Sequence, residues 1–160
     1  MIFITVGSQK FQFNRLLEKV DDLLERGVLQ EPVFAQVGYS TYVPKHFPCR
    51  DFLKKDEMNR RMEEADLILT HGGTASIIES VRMGKQVVAA ARLAKYGEHV
   101  DDHQTEIIRK FVQDEIIEGI YEMDDLADAI HAARTREHKP YISQRAAVVN
   151  YLRELILQDG

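Results

Sequence analysis

The sequence predicts an α/β fold class: a doubly wound parallel sheet covered by helices on both faces. Two observations carry this. Short apolar runs alternate along the chain with longer stretches whose apolar residues recur at three and four positions. Each such helix must carry the chain back across the sheet, so that the next strand runs parallel to the last. The length of 160 residues, 44% hydrophobic and 29% charged, suits one well-buried core, and residues 1–160 are expected to form a single domain.

The elements follow in order. Residues 2–6 form an apolar run with two isoleucines that stops at Gly7-Ser8, which predicts a buried strand feeding a loop. Phe13, Leu16, Leu17, Val20, Leu23 and Leu24 keep helical spacing, with Gly27 as the stop. Pro32 opens a second strand at 33–37. Residues 38–50, with Gly38, Pro44 and Pro48, are expected to be loop around a brief extended piece. A polar helix at 56–64 leads to a strand at 66–70, a helix at 74–83 ending at Gly84, and a strand at 86–91. After a loop at 95–97, Ile107, Ile108, Phe111 and Val112 mark one helix face, and 116–121 is strand. Asp124 is expected to cap the next helix. A polar linker with Pro140 separates it from a final helix at 146–157. The whole reads as a Rossmann-like sheet, whose ligands bind beyond the carboxyl ends of the strands. The loops after Val6 and after Thr70 both lie there.

Net charge and composition exclude several functions. A formal charge of -5 and a pI near 5.7, with Lys and Arg scattered among the acids, give no footprint for nucleic acid. Cys49 is the only cysteine, so no internal disulfide and no cysteine-based zinc site is expected, and a reducing, cytoplasmic compartment fits. No run approaches the roughly 20 apolar residues of a membrane span.

The stretch LILTHGGTASIIES, from Leu67, breaks an apolar run at His71, Gly72 and Gly73 and reopens at once as a helix with Thr74 and Ser76 in its first turn. Free N–H groups, the positive end of the helix dipole and two hydroxyls suit phosphate oxygens. An ordinary strand-to-helix turn capped by Thr74 fits the local pattern equally well. No G-x-G-x-x-G occurs, and RMGKQ has Gln where a P-loop needs Ser or Thr.

A second cluster, YGEHVDDHQTE at 96–106, precedes the helix of Ile107. His99 and His103 are four apart with Asp102 and Glu106 nearby, a spacing that suits a metal, but Val100 stands where a zinc-protease motif needs Glu. A helix start rich in capping acids is the stronger reading, and no metal is expected. Ser8, Ser76 and Ser80 lack a G-x-S-x-G elbow.

Taken together and in this order, MIFITVGS, FNRLLEKVD, ADLILTHGGTASIIES and GEHVDDHQTE resemble glycosyltransferase family 28, specifically the C-terminal, donor-binding lobe of GT-B enzymes. The likeness extends to the small subunits of two-component capsule and exopolysaccharide glycosyltransferases and of the dolichol-linked N-acetylglucosamine transferase. It implies a single GT-B donor lobe that takes a UDP-sugar as substrate and uses no cofactor. By the same resemblance Gly7, Ser8, Gly72, Gly73, Thr74 and Ser76 bind the diphosphate, Glu79 the ribose, Phe52 and Leu53 the uracil, and Asp102 and Gln104 the donor sugar. His71 lies beside the diphosphate as the catalytic candidate, or as a group that neutralises charge there. Each has a plainer rival: Phe52 and Leu53 as core, Glu79 paired with Arg82, Asp102 as a cap.

The expected activity is inverting hexosyl transfer for bacterial capsule or exopolysaccharide synthesis, with the helix start at Thr74 stabilising the leaving diphosphate. A non-catalytic nucleotide-sugar-binding enhancer of a partner glycosyltransferase is the alternative. Because GT-B enzymes use two lobes, the acceptor lobe is expected on a membrane-associated partner subunit that recruits a lipid-linked sugar acceptor. The chain would then sit in the cytoplasm, peripheral to the inner face of the plasma membrane. A C-terminal helix at 143–158, through Val148, Val149, Leu152, Leu155 and Ile156, is the expected contact, with packing on its own sheet as the rival reading. The catalytic base stays open between His71, His99, His103 and the partner.

Overall fold

The computed structural model describes residues 1–141 together with Arg153, Leu155 and Ile156. Its strands are β1 (Ile2–Thr5), β2 (Val33–Gln36), β3 (Cys49–Arg50), β4 (Leu67–His71), β5 (Gln86–Ala90) and β6 (Glu118–Ile120). They form one all-parallel sheet in the order β3-β2-β1-β4-β5-β6. The helices that join them are α1 (Asn14–Glu25), α2 (Lys55–Glu64), α3 (Thr74–Arg82), α4 (His103–Gln113) and α5 (Leu126–Thr135).

Strand residues point alternately to the two faces, and both faces are covered, which is why the strands read as unbroken apolar runs. Ile2, Ile4, Leu67, Leu69 and Val88 pack against Leu16, Leu17 and Val20 of α1 and Leu126 and Ile130 of α5. On the other face Phe3, Phe34 and Ile68 meet Met62 of α2. Beside them Val87 and Ala89 meet Ile77 and Ile78 of α3 and Ile107, Ile108 and Phe111 of α4.

Gly27 and Gly84 follow the last residues of α1 and α3 with φ of 72° and 73°, a left-handed turn that a side chain would strain. Asp124 does not cap α5. It lies inside a short 3-10 turn, Met123–Asp125, and the residue before the helix is Asp125, whose side chain makes no capping bond. The 38–50 loop ends in β3, whose two residues pair with Ala35 and Gln36 at the sheet edge.

The final helix expected at 143–158 falls largely outside the described residues, as do Val148, Val149 and Leu152. Leu155 is buried in the core cluster of α3 and α4, while Ile156 is exposed. At Leu155, then, the chain packs on its own domain.

From β1 the chain moves to β2 and β3 on one side, then crosses to β4 on the other side of β1. Loops leaving the carboxyl ends of β1 and β4 therefore diverge and open a crevice at this topological switch.

Candidate functional site

His71 is the last residue of β4 and lies at that switch, buried to 5% exposure. Its ring is sandwiched between two backbones. A Cβ on Gly7 would sit 2.5 Å from His71 Nε2, and one on Gly73 would sit 2.4 Å from Cε1, so only glycine fits on either side. Gly7 also has φ of 76°. Ser76 Oγ lies 3.4 Å from Nε2, and Gln104 Nε2 lies 3.2 Å from Nδ1. Burial, with the Arg92 guanidinium and His99 nearby, pushes the imidazole pKa down to about 3. At that value His71 is neutral at physiological pH in the protein without ligand.

α3 opens beside this ring. Its first residue is Thr74, its cap is Gly73, and no side chain caps it, so the first-turn amides point outward without helical acceptors. Thr74 does not act as the cap: its Oγ1 is buried and has no hydrogen-bond partner among the described residues. A cavity of about 250 Å³ lies against Gly7, Ser8, Gln9, His71, Gly73 and the first turn of α3. A second, of about 600 Å³, continues from Thr74 and Ala75 along α3 and α2 past Ile78, Glu79, Asn59 and Glu63. Ile156 borders both.

Glu79 is exposed on the wall of the larger cavity. Among the described residues no ion pair joins it to Arg82, whose guanidinium lies over the Tyr141 ring at 5.7 Å. Phe52 is 49% exposed and meets Tyr39 edge-on at 5.2 Å, so it is not core. Leu53 is half-buried against the Phe3 and Phe34 cluster, its N–H donating to Gln36 Oε1 at 2.8 Å. Gly38 joins this corner to the cradle, since a Cβ there would lie 2.9 Å from Gly7 O and 3.9 Å from the Phe52 ring.

One expected ligand contact, Gln104, is arranged otherwise. Gln104 is fully buried and does not reach a sugar pocket: its Oε1 accepts from Gly72 N at 2.9 Å and Arg92 N at 3.1 Å, and its Nε2 faces His71. The Gly72 amide is accordingly spent inside the protein, and Gly72 packs on Gln104, where a Cβ would lie 2.8 Å from the glutamine Cβ. Asp102 is exposed, and its Oδ1 accepts from Ala94 N at 2.8 Å, tying the loop after β5. Asp101 is the residue that accepts the first α4 amide, from His103 N at 3.0 Å. His99 lies before α4 instead of on it, 3.1 Å from Asp101 Oδ1 and with its ring 5.7 Å from that of Phe11 at a 30° tilt, so the two imidazoles share no helix face. Among the described residues no cluster of three metal-ligating side chains occurs.

Sequence reasoning missed the scaffold under the site. Arg92, two residues past β5, is wholly buried and donates to Val6 O, Phe11 O, Gln12 O and Glu98 O, fastening the loop after β1 to the loop after β5. Glu98 is 1% exposed at its side chain, pairs with Arg15 through two 3.0 Å contacts, and accepts from Leu93 N. The available signal was an arginine ending the apolar run VVAAA, where a charge is buried only if paired. Asp21 of α1 similarly holds the 38–48 loop, accepting from Tyr42 Oη, Lys45 N and His46 N at 2.5 to 2.8 Å. Burial opposes its charge, but those three bonds prevail and hold its carboxyl below the usual range; Tyr42 is pushed up to about 12 by the Asp21 bond.

The chain matches the model of the glycosyltransferase family 28 C-terminal domain over residues 1–157. The UDP-N-acetylglucosamine transferase subunit ALG13 of Mus musculus is 28% identical over 124 residues, covering 68% of this chain and 10% of that protein. Its Homo sapiens counterpart is 25% identical over 116 residues, with the same coverage. The chain thus spans about a tenth of the length of the curated relatives it matches. Three solved structures share the fold, each at 18% identity. The solution structure of ALG13 superposes with a TM-score of 0.62, over 99% of this chain and 96% of that one. MurG of Acinetobacter baumannii gives 0.54, over 94% and 49%. A glycotransferase of kitacinnamycin gives 0.61, over 99% and 40%.

Proposed function

The chain belongs to the glycosyltransferase family 28 C-terminal domain family, and on that premise we propose that it is the donor-binding lobe of an inverting UDP-sugar hexosyltransferase. A second, acceptor-binding subunit associated with a membrane completes it, presents a lipid-linked sugar acceptor and supplies the opposite wall of the cleft. The relatives named as subunits of a UDP-N-acetylglucosamine transferase support the divided arrangement. Synthesis of bacterial capsule or exopolysaccharide is the pathway proposed from the resemblance in sequence.

The observation that carries the reading is the uncapped start of α3 beside His71, walled by Gly7 and Gly73, with the Thr74 hydroxyl buried and without a partner among the described residues. Oriented amides, the helix dipole and hydroxyls stabilise charge that grows on a leaving diphosphate, and they do so without a metal ion. The larger cavity runs along α3 to Glu79, whose carboxylate suits two vicinal ribose hydroxyls. The exposed Phe52 ring beside Gly38 offers an aromatic face to a base. Asp102, exposed just before α4, is proposed for the donor sugar.

Calorimetry against a panel of UDP-sugars, with UDP and dinucleotides as controls, tests the donor site. Binding of UDP forms and not of dinucleotides is expected; a flat panel removes the reading. Transfer assayed with the chain alone, the partner alone and both together separates an enzyme subunit from a non-catalytic enhancer. For the subunit, His71→Ala is expected to abolish joint activity while the complex persists; full transfer by the partner alone would favour the enhancer.

A further inference from the structure

We propose that Gln104 is a positioning residue that locks His71 in its Nε2–H tautomer, so that the ring acts as a fixed neutral hydrogen-bond donor aimed into the cradle at the start of α3. The side-chain amide of Gln104 has one acceptor end and one donor end. Two backbone N–H groups, of Gly72 at 2.9 Å and Arg92 at 3.1 Å, converge on the same atom, and two donors can be satisfied only by the carbonyl oxygen. The other end is therefore NH2, and it faces His71 Nδ1 at 3.2 Å. An amide hydrogen aimed at Nδ1 requires a lone pair there. In a neutral imidazole the proton then resides on Nε2.

The surroundings agree. Arg92 and His99 are the charged and titratable groups acting on the ring; with burial, they disfavour the imidazolium. Nε2 faces Ser76 Oγ at 3.4 Å, on the side of the cavity bounded by Gly7 and Gly73. Gln104 itself is wholly buried, with both ends of its amide engaged, so its influence on a ligand passes through His71. Nε2–H adds one directed donor to the outward amides of α3, at no cost in reorientation. The same proton disqualifies Nε2 as a general base, so the proton of the acceptor hydroxyl must be taken by another group. What the donor addresses rests on the UDP-sugar reading above; the tautomer does not.

Nitrogen-15 NMR of histidine-labelled protein reads both ring nitrogens directly. The expected result for the intact chain is a protonated Nε2 and an unprotonated Nδ1 at His71, unchanged between about pH 5 and 8. Titration with UDP is expected to shift the Nε2 proton. Gln104→Glu replaces the NH2 by an oxygen that can only accept, so it is expected to draw the proton to Nδ1 and weaken UDP binding about tenfold or more. A protonated Nδ1 in the intact chain overturns the proposal, as does a folded Gln104→Glu variant with the original tautomer. Should that variant fail to fold, the tautomer of the intact chain decides by itself. The expected tautomer with no response to UDP overturns the donor-site reading and leaves the tautomer assignment standing.

Discussion

Between its depressed pKa of about 3 and the ordinary 6.5, His71 holds fewer protons in the folded protein than in the unfolded chain. Folding stability is therefore complete above about pH 6.5 and declines as the pH falls toward 3, because only the unfolded state can take up the proton. A urea midpoint measured at pH 7 and again at pH 5 is expected to drop, and the drop is expected to be smaller in His71→Asn. Equal drops would mean that other groups set the acid sensitivity. The glycines beside the ring make a second case. Gly73→Ala places a methyl group 2.4 Å from the imidazole, and Gly7→Ala does the same at 2.5 Å while also straining a positive φ. Overpacking of this kind costs about 1–3 kcal/mol. Each variant is expected to melt earlier and to bind UDP more than tenfold more weakly, with Gly7→Ala the less stable of the two. That Gly7, His71 and Gly73 belong together was legible from their places at two strand ends. That Gly72 turns its amide inward was not, because its partner Gln104 lies 32 positions away and only packing brings them together.

The elements are joined at the cleft by charges that the strands alone do not predict. Arg15 of α1 reaches Glu98 in the loop after β5, and Arg92, two residues past β5, reaches back to the loop after β1. Removing one member of such a buried set strands the other, which typically costs about 3–5 kcal/mol. Glu98→Gln is expected to fall toward the lower end, since an amide still accepts from Leu93 N and Arg15. A chemical denaturation curve with unchanged slope and lowered midpoint is the readout; a loss under about 1 kcal/mol would show the pair to be dispensable. Asp21 plays the corresponding part for the 38–48 loop. Asp21→Ala is expected to accelerate hydrogen exchange at the Lys45 and His46 amides and leave α4 amides unaffected. The helices themselves were readable, because α1 and α4 carry their apolar residues at a helical period and α1 ends against a left-handed glycine. β3 was only glimpsed: two residues that follow Pro44 and Pro48 have no period, and they become strand through pairing with Ala35 and Gln36.

On the scale of the whole molecule, the order in which the parallel strands are added reverses between β1 and β4, and the cradle lies there. A ligand that binds there binds the folded state alone. At a hundredfold excess over its Kd it adds about 2.7 kcal/mol of stability, or about 5 to 10 °C in Tm for a chain of this size. UDP is expected to produce that shift, and the His71→Ala variant to lose most of it. The sequence by itself determined the alternation of strand and helix, the two glycine loops at strand ends and the family to which they belong, because these depend on local period and on backbone freedom at single residues. Only the tertiary structure decided which polar groups are spent internally and which remain for a ligand: Gln104 is turned inward to His71 and Arg92 lies beneath the loops, while Asp102 stays exposed and Thr74 has no partner among the described residues. That division depends on distances between residues far apart in the chain, and a hydrogen bond has no periodicity from which to be read in advance.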